Sequence, residues 1–393
     1  MRAMLSGENA DPRLTLLFAY PFRIFFLSLA VLAIVVVPVW VMVVTGKWIL
    51  PTALPGLYWH LHEMLFGFLT AAIAGFLLTA VCVWTKTERM HGVPLMLFWL
   101  VWLAGRLLLA FGGDLPFWLM QAVNLLFLPL IMLDAGWRIL RSGQKRHNVI
   151  LVVLGLLWVM QIAFVNTLNI NYVDGALVLA MALAGIIGGR ITPAFTVGWL
   201  RQNGGNPDVV KVSPRTDFAT LVSLLLLLAM LVIGWRWGEV LFALTSAILM
   251  LVRLTGWHGW AARSEPLLWI LHISLLWIPV ALILMAGHLV FGWESTAWSH
   301  AAGVGVIGSL ILGVIARVSL GHTGRPLQLP GGMVLAFTAI QLAAVVRVIT
   351  ALGGLPWSPG IGLSALLWEI AFVIFLLRYT LILSSPRADG KTG

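Results

Sequence analysis

Uncharged apolar stretches of about twenty residues, the length a helix needs to cross hydrocarbon, recur along most of this 393-residue chain. They leave little else for the chain to become. Hydrophobic residues make up 61% of it and charged residues 10%, against roughly 25% charged in a soluble domain, so a solvated surface cannot be assembled. The sequence predicts an all-α integral membrane protein. Spans are expected at 22–44, 59–82, 93–112, 115–138, 149–168, 174–189, 216–234, 238–256, 266–290, 298–319, 331–352 and 361–383, about twelve in all at that span length.

The formal charge of +10 would suggest nucleic acid in a soluble protein; here the basic residues sit in alternate loops, so topology explains them and no nucleic-acid partner is expected. Arg2 and Arg13 precede the first span, and Lys86 and Arg89 follow the second. Arg138, Arg141, Lys145 and Arg146 follow the fourth, and Arg190, Arg201, Lys211 and Arg215 the sixth. Arg263 follows the eighth, Arg317 and Arg325 end the tenth, and Arg387 and Lys391 lie in the tail. The positive-inside rule then puts both termini and these loops in the cytoplasm. The loop 190–215, with its Asn203–Pro207 turn cluster, divides one polytopic domain, 1–393, into six-helix halves 22–189 and 216–383. No repeat between the halves is evident. Cys82 is the only cysteine, which rules out an intrachain disulfide and cysteine-based metal clusters. Met1–Tyr20 reads as lacking a removable signal peptide. Tryptophans at segment ends, Trp40, Trp48, Trp59, Trp84, Trp118, Trp199, Trp293 and Trp298, read as interfacial anchors.

Against this background Trp59-His60-Leu61-His62-Glu63-Met64-Leu65-Phe66-Gly67-Phe68 stands out. Ionisable groups in hydrocarbon are costly and usually functional. The topology places His60, His62, His288 and His300 in the outer third of the membrane, with Arg106 and Arg347 at the same depth. Imidazole ligates haem iron and copper. His60 and His62 are about 200° apart around a helix, so they face different neighbours. His60 and Glu63 share a face at i and i+3, where the carboxylate could orient the imidazole. The two arginines either clamp a dianionic ligand such as the propionates of a haem, or snorkel, or pair with Glu63 and Glu369. On the cytoplasmic side, His272 and His322 offer a second ligand pair or interhelical hydrogen bonds. His91 and His147 read as solvated, and Asp134 as a partner of Arg138 at i+4. Asn166 and Asn169 read as lining the outer site or capping a helix, and Gly188 and Gly189 as helix-packing positions.

These motifs resemble the NnrS family. The match continues through Ala74-Gly75-Phe76-Leu77-Leu78-Thr79-Ala80-Val81, Leu103-Ala104-Gly105-Arg106, Gly188-Gly189-Arg190-Ile191-Thr192-Pro193-Ala194-Phe195-Thr196, Pro266–His272 and Gly321-His322-Thr323-Gly324-Arg325. The chain departs from the pattern at Cys82-Val83, where Pro-Asn is expected before Trp84, and at Trp277. The resemblance implies a bacterial inner-membrane protein containing haem, of b type, and copper, linked to denitrification and to nitrosative stress caused by nitric oxide. Carried onto this chain, it points to His60, His62, Glu63, Arg106, Arg190, His272, His300, His322 and Arg325.

The sequence therefore supports a haem- and copper-binding membrane protein that binds nitric oxide or another small diatomic ligand, detoxifies it, or protects against it. The reaction, if there is one, stays open, and any electrons would come from a separate donor. The alternatives are a twelve-helix secondary transporter of a small solute or metal species, and a signalling protein acting through the basic loop 190–215.

Overall fold

The computed structural model describes residues 12–52 and 54–391; Arg2, one of the basic residues expected in the cytoplasm, lies outside them. Among the described residues, twelve helices are long and apolar enough to cross a membrane. They are α1 Pro21–Val44, α2 Gly56–Thr85, α3 Gly92–Phe111, α4 Phe117–Ser142, α5 Lys145–Thr167 and α6 Ile170–Gln202. There follow α7 Pro214–Ile233, α8 Arg236–Gly256, α9 Pro266–Phe291, α10 Ser295–His322, α11 Met333–Ala351 and α12 Trp357–Leu383. No strand occurs among the described residues. The all-α membrane class and the number of spans agree with the hydropathy reading.

Two boundaries differ from it. The sixth span does not stop at residue 189. Its helix runs on through Arg190 and Pro193 to Gln202, because a proline removes only one ladder bond and neighbouring helices hold the turn. The connection to α7 is therefore the shorter segment 203–213. The second difference is within α2 and α10. Each opens with a short α-helix, Gly56–His62 or Ser295–His300, and then widens into a π-helical segment, Glu63–Phe68 or Ala301–Gly308, before returning to α geometry. Bulges of this kind collect at functional sites.

The chain forms two compact units. The first comprises 1–168, 315–331 and 372–393, the second 169–314 and 332–371. The basic segment around Arg190–Arg215 falls inside the second unit. In the first unit α2 packs on α1 and α4, and α3 and α5 pack on α4. Its core is aromatic, with Phe22, Phe25, Phe26, Phe66 and Phe68 almost wholly buried. Gly75 lets α1 approach α2, since a methyl group there would lie 2.7 Å from the Phe26 ring. In the second unit α7, α8 and α9 follow one another as neighbours, and α6 and the start of α10 pack on α9.

The tryptophans divide. Trp48, Trp118 and Trp293 are exposed as belt residues would be, but Trp59 and Trp298 are buried and belong to the packed interior. His147, expected in solvent, is also buried and stacks on Trp84 with ring centroids 4.5 Å apart. Its ring covers the end of α4–α5 because Gln144 and Arg146 supply its polar partners locally.

Candidate functional site

The first unit holds a network of ionisable and amide groups at the π segment of α2. His62 has no solvent exposure, and Glu63 is 1% exposed. His62 Nδ1 lies 3.4 Å from Glu63 Oε1. Arg106 Nε lies 2.9 Å from Glu63 Oε2. Arg106 Nη1 donates to Phe66 O at 3.1 Å, and Nη2 donates to Asn124 Oδ1. Gln161 Nε2 faces His62 Nε2 at 3.3 Å and donates to Asn124 O at 3.3 Å.

The local sequence explains this arrangement. In the π turn, Leu69 N–H reaches back to Met64 O, so the ladder loosens around Phe66 and Gly67. Their carbonyls take side-chain donors from α3, Arg106 on Phe66 O and Trp102 Nε1 on Gly67 O at 3.0 Å. Gly67 leaves room for the pair: a methyl group there would sit 2.9 Å from Glu63 Oε2 and 3.2 Å from Arg106 Nη1. Gly105 does the same for Asn124, whose Oδ1 would be 2.8 Å from an added methyl. The motifs around Gly67 and Gly105-Arg106 thus describe one seat.

This geometry corrects one expectation. Glu63 orients His62, not His60. His60 turns the other way and stacks on Trp40, centroids 4.7 Å apart and rings 8° from parallel. The i,i+3 argument assumed α-helical spacing, and the π segment begins at Glu63. Arg106 takes the role of counter-ion to Glu63, with an internal partner at each of its three nitrogens. Burying either charge alone would be far more costly than burying the pair.

The hydrogen-bond pattern assigns the His62 proton to Nδ1, directed at Glu63, and leaves a lone pair on Nε2 that accepts from the Gln161 amide. A carboxylate behind an imidazole in this way orients the ring and raises its basicity as a ligand.

The second unit contains the other expected groups. His300 ends the short helix before the π segment of α10, and its Nδ1 lies 2.8 Å from Thr296 O. His288 Nδ1 meets Trp293 O in the same way. Both bonds place the proton on Nδ1 and the lone pair on Nε2. His272 Nε2 lies 3.0 Å from Thr196 Oγ1, which itself donates to Thr192 O at 2.9 Å. His272 is therefore a link between α9 and α6, one of the interhelical hydrogen bonds expected of it. Arg347 and Glu369 are half-buried on α11 and α12 and form no ion pair with each other. Arg190 is exposed. His322 and Arg325 belong to the first unit, His322 with its ring 5.5 Å from Phe22. Asn169 caps α6 by accepting from Asn171 N–H at 2.9 Å, and Arg138 pairs with Asp134 as the i+4 spacing indicates.

Sequence reasoning missed a second ion pair, formed by a buried arginine and a partly exposed aspartate. Arg253 Nε on α8 lies 2.6 Å from Asp217 Oδ1 on α7, and Arg253 Nη2 donates to Gly185 O at 2.8 Å. Gly189 is the space in which this guanidinium sits. The glycine pair beside Arg190 therefore serves two purposes: Gly188 packs on Leu275, and Gly189 admits a charge. Gln161 and Asn124 were missed too. Their signal was a polar amide inside an apolar span.

No group of three His, Cys, Asp or Glu side chains converges as a metal site among the described residues. A haem brings its own four equatorial nitrogens and takes one or two imidazoles. His62 offers a ring fixed by Glu63, with its Nε2 held by the Gln161 amide.

Fold and site together define a twelve-helix membrane protein whose interior keeps paired charges and oriented imidazoles. The family model for NnrS protein matches residues 16–387, and the chain belongs to that family. Among curated proteins none matches the chain.

Proposed function

We propose that the protein is a haem-binding component of the nitric oxide response in a bacterial inner membrane. The observation that carries this reading is His62, sealed from water, with Glu63 behind Nδ1 and Arg106 neutralising Glu63. A bound haem would supply an iron able to hold a diatomic gas. The protein's own part is separate from that chemistry. Glu63 holds the imidazole tautomer. Gln161 faces the ligating nitrogen and would have to swing aside or hydrogen-bond whatever occupies it. The phenylalanine wall around Phe66 excludes water. Family membership supports nitric oxide as the gas. Copper finds support only in the family resemblance, and a separate protein would donate any electrons.

The test is the visible spectrum of the full-length protein purified from haem-replete cells, with and without nitric oxide. A Soret band that moves on adding the gas, vanishes in His62→Ala and shifts in Gln161→Leu is the expected result. A folded, colourless wild-type protein would sink the proposal.

One observation favours a second reading, transport. Helices interrupted at corresponding places are a mark of carriers, and α2 and α10 are both interrupted immediately after a histidine. Solute flux into proteoliposomes made with colourless protein would support it.

A further inference from the structure

The end of the first unit that carries its basic loops gathers arginines. The C-terminal segment after α12 lies across the loop that follows α10. Ala388 N–H donates to Thr323 O at 2.9 Å, and Arg387 Nη1 donates to His322 O at 2.9 Å. Arg23, at the start of α1 and fully buried, donates to Leu383 O at 2.6 Å and Ser385 O at 2.8 Å. Arg89 lies over the Tyr20 ring at 3.9 Å and donates to Ala19 O at 3.0 Å. Arg325 and Arg387 are both close enough to Arg23 to repel its charge.

Of Arg89, Arg325 and Arg387, only Arg387 pairs with a carboxylate, and that one, Asp389, is exposed. Arg325 Nη1 is buried with no acceptor. Ser319 Oγ, fully buried one turn before Thr323, also has no partner. A buried donor without an acceptor costs free energy, and an arginine fork matches a phosphate geometrically. Basic pockets between spans on the cytoplasmic side bind phosphorylated headgroups for these reasons.

We propose that Arg325 and Ser319 form a site for a phosphate group, with Arg23 and Arg89 supplying the surrounding positive field. The phosphate comes from an anionic phospholipid headgroup or from a soluble phosphate. This site is separate from the His62 network and does not rest on the haem reading.

Native mass spectrometry of the full-length protein in detergent tests it, with phosphatidylglycerol and phosphatidylcholine titrated side by side. Phosphatidylglycerol should bind about tenfold or more tightly than phosphatidylcholine, as one charge-assisted contact allows. Arg325→Gln and Ser319→Ala should each reduce that preference. Arg325→Lys should keep most of it, and Arg141→Gln, an exposed arginine of the loop after α4, should leave it unchanged. Inorganic phosphate at millimolar concentration that displaces phosphatidylglycerol and raises the unfolding midpoint identifies a soluble phosphate as the occupant; no effect of phosphate identifies the headgroup. The proposal is overturned if both lipids bind alike and phosphate shifts nothing. It is overturned equally if the preference survives in both Arg325→Gln and Ser319→Ala. Should Arg325→Gln fail to fold, Ser319→Ala and Arg325→Lys decide.

Discussion

At the scale of single residues, the fold spends its ionisable groups in pairs. Glu63→Gln leaves the Arg106 charge buried and unbalanced, and should lower stability by about 3 kcal/mol, the cost of breaking a buried pair from one side. The double variant Glu63→Gln/Arg106→Leu should recover part of that loss in detergent unfolding; a double variant no better than the single would show the two groups to be uncoupled. Outside the membrane, Arg387 holds the Asp389 carboxyl down to about 2, chiefly by hydrogen bonding. An unfolded Asp titrates near 3.9. The folded form binds fewer protons, so docking of the C-terminal segment is fully supported above about pH 4 and weakens as pH falls toward 2. Amide exchange at residues 387–391 should rise over that window, and Asp389→Asn should remove the dependence. Much of this scale was legible beforehand. Glu63, Arg106, His62 and His300 announce themselves as charges or imidazoles in apolar runs. Their partners did not, because Gln161, Asn124 and Gly185 lie on other helices and no spacing in the chain records who meets whom. Asp217 and Arg253 looked like ordinary span-end charges, and only the glycine at 189 hinted that a bulky group had to fit.

Helices show the same division between what a linear pattern encodes and what it does not. Hydropathy located every span, since crossing hydrocarbon is a one-dimensional requirement. It ended α6 too early, because Arg190 and Pro193 carry stop signals that tertiary packing overrides. It could not see the π segments, because a widened turn changes hydrogen bonding and not composition. With the segments known, a correspondence emerges that the search for a repeat between halves missed. His62, Gly67 and Gly75 of α2 recur in register as His300, Gly305 and Gly313 of α10. The later glycine of each set faces the helix before its own, Gly75 against Phe26 of α1 and Gly313 against Ile270 of α9. Deleting Met64 would return α2 to α-helical register and rotate His60 and His62 by roughly 100° relative to the rest of the span. Loss of the Glu63–Arg106 pair should follow, read as a lower unfolding midpoint and, under the haem reading, loss of the Soret band. A deletion variant with an unchanged midpoint would show that the bulge positions nothing.

For the molecule as a whole, the basic loops predict an orientation that labelling can check. In a Cys82→Ser background, a cysteine at Ser142 should react with an impermeant maleimide only in inside-out vesicles. A cysteine at Asp114 should react only in right-side-out ones. The reverse pattern would invert the proposed topology. The fully enclosed position of His62 then has a kinetic meaning. No aqueous ion can reach that imidazole without shedding its hydration, which is prohibitive in hydrocarbon. A neutral gas has no such barrier and dissolves in the lipid around the protein. Under the proposed function, the partition coefficient of a molecule, before any recognition by side chains, would decide whether it arrives: nitric oxide would pass, while nitrite and nitrate would be turned away by solubility alone.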